Sequence, residues 1–296
     1  MDFQPKGIIP AMVTPTDEWG NLKEQPLRRL TNYLIDGGVH GVFPVGSQGE
    51  FYALTPEVKK RVMEIVIEET NGRVPVYVGT GAVTTREAIE LTKMAKAAGA
   101  SAVSVLTPFF VTPNDQELYN HYKLIAEAVP DMPILLYGNK DRTGVGLSPD
   151  LVVRLSKIDN IVGMKDSSGD MTVTAEYIRR TDSSFNVLMG RDTLIYSALV
   201  HGGKGSITAT ANAAPKLVVE IYEAFVAGDL KRSLEAQYRL APLRLAFGWG
   251  TFPVVIKEAL NLMGFEVGSA ILPVGPLPEQ KREDLRRVLV EMGVLA

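Results

Sequence analysis

The chain has 296 residues with 31 basic and 34 acidic side chains, a net charge of −3 and a hydrophobic content of 46%, the profile of a globular protein that buries a large core. The charges are mixed along the chain, without the clustered Lys and Arg that polyanion binding requires, and runs such as 7–13 fall far short of the roughly 20 apolar residues that span a bilayer. No Cys is present, His40, His121 and His201 are scattered, and no GxSxG elbow or Walker loop occurs, which excludes thiol chemistry and speaks against histidine-built metal sites, serine-elbow hydrolysis and P-loop nucleotide binding.

Residues 1–6 hold no basic stretch leading into a long apolar core, so no secretory leader is expected and a cytoplasmic location is the default. Eight short apolar, β-branched runs are predicted as strands, at 7–14, 39–46, 75–81, 102–107, 134–137, 161–165, 186–190 and 205–210. Between them, segments such as 57–69, 86–98, 116–129 and 172–180 have helical spacing. Thr55-Pro56-Glu57, Thr84-Thr85 before Glu87, and Ser148-Pro149-Asp150 read as helix starts. Strands that alternate with helices require a parallel sheet, and eight such units predict an α/β fold, a (β/α)8 TIM barrel over residues 1–212. A doubly wound sheet would need a glycine-rich loop after the first strand, where the chain reads Met12-Val13-Thr14-Pro15. Residues 213–296 are expected to form a C-terminal helical extension of about four helices packed on the barrel, broken near Gly228, 248–250 and 264–278.

Active sites of such barrels lie at the C-terminal ends of the strands, and that rule sorts the candidates in chain order. After the second run, Gly46-Ser47-Gln48-Gly49-Glu50 exposes backbone N–H groups suited to a carboxylate, or is a plain tight turn. Tyr137 closes the fifth run, either as a proton shuttle or as a core aromatic. Arg142 follows in a loop, able to clamp a carboxylate or simply solvated. Lys165 ends the sixth run beside the small Gly163. Burial there favours a neutral, nucleophilic amine; the alternative is an ion pair with Asp166. Lys257 and most other lysines sit in helical patterns and are expected to be solvated. Lys6 and Lys204 precede strands and belong to the opposite face, and the three histidines are assigned no chemistry.

Gly46-Ser47-Gln48-Gly49-Glu50, Tyr137, Lys165, Gly190-Arg191-Asp192 and the run 205–212 resemble, in order and over nearly the whole chain, the dihydrodipicolinate synthase/N-acetylneuraminate lyase family. The resemblance implies a class I, metal-independent enzyme, usually a homotetramer, with no cofactor beyond a covalent imine. By position it implies Lys165 as Schiff-base former and Tyr137 as proton relay. Substrate contacts are implied at Ser47, Gln48, Arg142, Ser167, Gly190, Asp192 and Ile207. The chain departs from the synthase pattern at Ser47-Gln48 for two threonines, at Phe109-Phe110 for a tyrosine pair, and at Tyr137-Gly138-Asn139-Lys140 for Tyr-Asn-x-Pro.

Those departures lead to the expectation of a lyase or aldolase acting on a hydroxylated 2-oxo acid, of 4-hydroxy-2-oxoglutarate or 2-keto-3-deoxy sugar acid type, that releases or condenses pyruvate. Its partners would be pyruvate and a small aldehyde or 2-oxo acid, with no nucleic acid and no membrane. The alternative is the synthase reaction itself, pyruvate with aspartate semialdehyde. A non-catalytic 2-oxo-acid sensor is the remote third reading.

Overall fold

The computed structural model describes residues 3–295. Seven strands are present among the described residues: β1 (Gly7–Pro10), β2 (Tyr77–Gly79), β3 (Ala102–Leu106), β4 (Ile134–Gly138), β5 (Ile161–Asp166), β6 (Asn186–Met189) and β7 (Gly205–Thr208). The sheet order is β1-β7-β6-β5-β4-β3-β2, and from β2 to β7 each strand pairs in parallel with the next. Every residue of β3, β4 and β5 is buried. A parallel sheet is covered on both faces, so its strands read as continuous apolar runs instead of alternating ones. The expected α/β alternation is therefore observed.

The second predicted strand is a correction. Residues 39–46 do not form a ladder; they make two isolated parallel bridges, Ala11↔Phe43 and Val42↔Val76. Pro44 has no N–H to donate, and Val45 sits at φ 58° in the left-handed region, so pairing cannot run past Phe43. The fifth and sixth predicted runs are accordingly β4 and β5. Between β5 and β6 the backbones approach so closely that a Cβ on Gly163 would lie 2.3 Å from the Asn186 carbonyl oxygen.

The predicted helices form within a residue or two of their expected limits, as Pro56–Thr70, Thr85–Ala98, Asp115–Ala128 and Met171–Arg180. Thr55, Thr84 and Ser148 each accept the backbone N–H three residues on, satisfying a donor the helix itself leaves orphaned. After β7 come, among the described residues, four α-helices, Pro215–Val226, Leu230–Leu245, Val254–Leu262 and Glu279–Glu291. Among the described residues no helix is long and apolar enough to cross a membrane.

Contacts divide the chain into two compact units, one of Met1–Gly7 and Tyr77–Ile207, the other of Ile8–Val76 and Thr208–Ala296. Within the second, Asn212 ties its ends together: its side chain accepts from Val13 N and donates to Ala11 O. Lys257 corrects a second expectation. It is not solvated but 1% exposed, in the helix Val254–Leu262.

In the first unit, His121 is a core residue whose Nδ1 lies 2.9 Å from Thr85 Oγ1, while Nε2 has no hydrogen-bond partner. Burial pushes its pKa down to about 4. The unfolded chain, with a histidine near 6.5, therefore binds more protons than the folded one between those values. Stability is complete above pH 6.5 and falls as pH drops toward 4, by at most about 3 kcal/mol from this group. Urea unfolding at pH 7 and pH 4.5 should show the wild type losing that much more than His121→Phe; equal losses would contradict it.

Candidate active site

The register of the sheet brings the two principal candidates side by side. Tyr137 on β4 pairs directly with Lys165 on β5, and Lys165 Nζ lies 4.3 Å from the Tyr137 ring centroid. Both are buried, at 3% and 5% exposure. An ammonium over an aromatic face is favourable. The neighbouring Asp166 carboxylate is taken up elsewhere, accepting from Ser168 N at 2.9 Å and from Thr174 Oγ1 at 2.5 Å.

One step beyond this rung lie Ser167, Gly190 and Ile207, because Asp166 pairs with Met189 and Met189 with Ser206. Ser167 N donates to Gly138 O at 2.9 Å. Gly190 N donates to Asp166 O at 2.6 Å. A Cβ at Gly190 would fall 2.0 Å from Ser167 Oγ, so only glycine lets the serine hold its position. Ile207 is fully covered, and Asp192 is buried at the start of the 3-10 turn Asp192–Leu194. Arg142 is exposed on the single helical turn Lys140–Thr143 that follows β4.

Two residues here had no role in the sequence reading. Arg191 donates from Nε to Ser167 O at 3.0 Å and pairs with Asp141, which connects the loop after β5 to the turn that carries Arg142. Asn139 donates from Nδ2 to the Tyr137 hydroxyl oxygen at 3.2 Å. Arg191 lies inside a motif that the resemblance singled out; Asn139 fills the unspecified position of Tyr-Asn-x-Pro, and nothing in the sequence marked it.

In the second unit, residues 46–50 form a 3-10 turn, Ser47–Gly49. The N–H groups of Gly49, Glu50 and Phe51 bond back to Gly46 and Ser47 carbonyls, which places Ser47 and Gln48 at the N-terminal end of the turn. Thr14 Oγ1 donates to Gly49 O at 2.8 Å. Glu50 follows in the left-handed region (φ 55°, ψ 35°). Its Oε1 accepts from Ile271 N at 2.7 Å, and its Oε2 is 2.5 Å from Lys257 Nζ. Lys257 also donates to Thr16 Oγ1 at 2.9 Å and Ser269 O at 2.7 Å. Burial lowers the Lys257 pKa while Glu50 opposes the shift. The Gln48 side chain is buried against a small cavity lined by Phe247, Phe252 and Ile256, and both of its amide atoms lack a partner.

Comparison with known proteins matches this arrangement to one family. The family model described as "Dihydrodipicolinate synthetase family" matches residues 4–292. The 4-hydroxy-tetrahydrodipicolinate synthase of Methanopyrus kandleri is 41% identical over 100% of this chain and 99% of its own length. That of Methanothrix thermoacetophila is 42% identical over 98% of each. Among solved structures, the chloride-inhibited dihydrodipicolinate synthase of Acinetobacter baumannii, complexed with pyruvate, superposes with a TM-score of 0.95 at 38% identity, covering 98% of this chain and 99% of that one. YagE, an E. coli K12 prophage protein of the same family in complex with pyruvate, gives 0.93 at 32%, with the same coverage. The predicted fold class, a (β/α)8 barrel with a C-terminal helical extension, is the one these structures share with it. The chain belongs to the dihydrodipicolinate synthetase family, whose members are pyruvate-dependent enzymes of carbon–carbon bond chemistry.

Proposed function

We propose that this chain condenses pyruvate with aspartate semialdehyde through an imine on Lys165, the reaction of a 4-hydroxy-tetrahydrodipicolinate synthase. The observation that carries the imine is the buried Lys165 amine beside Tyr137 on the next strand; the names of the relatives carry the choice of aldehyde. Lys165 Nζ attacks the keto carbon of pyruvate. Tyr137 passes a proton to the carbinolamine oxygen, which leaves as water, and the iminium remains. That iminium withdraws electrons from C3, so loss of a C3 proton gives an enamine that adds to the aldehyde carbon. The amino group of the added aspartate semialdehyde then attacks the imine carbon, closing the ring with its own C=N bond and displacing the Lys165 amine as the leaving group. The iminium is itself the electron sink, so the scheme calls for no cofactor or metal. Ser47 and Gln48 are read as holding the pyruvyl carboxylate, with Ser167, Gly190, Asp192 and Ile207 around the bound substrate and Arg142 as the clamp for the second carboxylate. The assembly is read as a homotetramer, by family membership.

A second reading, aldol cleavage of a hydroxylated 2-oxo acid, draws on the absence of a hydroxyl at Phe109 and Phe110 and on Gln48. A panel decides between them. Pyruvate is offered with aspartate semialdehyde and with short and six-carbon aldehydes, and binding is followed calorimetrically beside turnover. The fastest turnover is expected with aspartate semialdehyde; a faster sugar-type aldehyde would move the assignment to the aldolase, and binding without any turnover to a sensor. Replacing Tyr137→Phe should leave the fold intact and cut kcat/KM for pyruvate by about 10²–10⁴-fold. A loss below threefold would remove Tyr137 from the proton relay.

A further inference from the structure

Tyr137, in the mechanism above, gives its phenolic proton to a departing hydroxyl and later takes one back. Whatever holds its oxygen sets how readily it does so. The Asn139 side-chain amide reaches that oxygen, Nδ2 donating at 3.2 Å. Asn139 is itself held in place: its carbonyl accepts the N–H groups of Arg142 and Thr143 at 3.0 Å each, and the Thr143 hydroxyl at 3.1 Å. The turn Lys140–Thr143 thus anchors the backbone from which the amide projects. Positions 109 and 110, both Phe, bring no hydroxyl to the site.

We propose that Asn139 is a positioning residue for Tyr137, turning the phenol's own proton away from the amide and toward substrate, and stabilising the oxygen anion left when that proton departs. The proposal rests on the imine reading above. A hydrogen bond to the charged form of an acid favours that form, and a bond to a charged group is worth about ten- to a hundredfold in an equilibrium. Charged groups face Tyr137 from the elements packed against it. Lys165 lies over its ring from β5, and Asp166 beyond it is bonded to Ser168 and Thr174. Lys140, Asp141 and Arg142 sit on the following turn, with Asp141 paired to Arg191. The partners on β3 and just after it, Leu106 and Thr107, are uncharged.

The test is kcat/KM for pyruvate between about pH 6 and pH 12, a range that brackets the ordinary tyrosine titration near 10, in the wild type, Asn139→Ala, Asn139→Asp, Tyr137→Phe and the Asn139→Ala/Tyr137→Phe double variant. Asn139 is half-buried at a loop, so its variants should fold. Asn139→Ala is expected to lower kcat/KM about tenfold or more and to move the alkaline limb to higher pH, because a phenol without its donor keeps its proton longer. Asn139→Asp, the same size but unable to donate when ionised, should lose at least as much. On the Tyr137→Phe background the alanine change should matter less than twofold. An unmoved alkaline limb, or a double variant whose loss equals the product of the two single losses, overturns the proposal. If borohydride traps no pyruvate on Lys165 in the wild type, the imine reading falls as well, and that outcome is distinct from the other two.

Discussion

Replacing Lys165 by Arg or by Met is expected to abolish turnover, to below about one part in 10⁴ of the wild-type rate, and to end trapping by borohydride in the presence of pyruvate. A guanidinium stays protonated in proteins and cannot attack a carbonyl, and a thioether has no amine to offer. Lys165 is enclosed at 5% exposure against the Tyr137 ring. Met nearly matches its length and removes only the amine, whereas Arg keeps the charge at some cost in packing. Mass spectrometry of the trapped wild-type enzyme should find the reduced pyruvyl group on the peptide containing Lys165. An adduct on another lysine, or undiminished turnover in the Met variant, would defeat the assignment.

The second large effect is on stability. Lys257→Met removes one partner from a pair in which both side chains are essentially without solvent access. Breaking a buried pair leaves an uncompensated charge, at a cost of about 3–5 kcal/mol. Here that charge is Glu50, in a left-handed conformation next to the Ser47–Gly49 turn. The double variant Lys257→Met/Glu50→Gln strands no charge and should recover most of the loss, because Gln can still accept from Ile271 N. Urea denaturation of the three proteins measures this. A Lys257→Met variant within about 1 kcal/mol of wild type would mean that the carboxylate finds water or a proton at no great cost.

The sequence made most of the sheet legible because its strands are buried on both faces and so are written as unbroken apolar runs. Helix starts were legible because Thr55, Thr84 and Ser148 act locally, three residues from the group they satisfy. The run 39–46 misled because β-branched composition says nothing of whether Pro44 and Val45 let a ladder continue. Lys257 misled for a different reason. A lysine in a helical pattern was expected to be solvated, and the partner that draws the amine inward, Glu50, lies far away in the chain. Lys165 and Tyr137 could be ranked as candidates, but their adjacency required the register. The contact of Asn139 with Tyr137 was not legible at all, since it depends on how the turn at 140–143 directs one side chain.

That register has a further consequence. Tyr137 and Lys165 occupy facing positions of one parallel ladder, fixed by main-chain bonds that no side-chain replacement alters, while Phe110 and Arg142 stand exposed on connections beyond the strand ends. The residues proposed to make the imine and those proposed to choose its aldehyde therefore stand on different parts of the fold, ladder against loop. On the proposed mechanism, a change of loop residues alters the carbonyl partner while the ladder keeps the lysine in place.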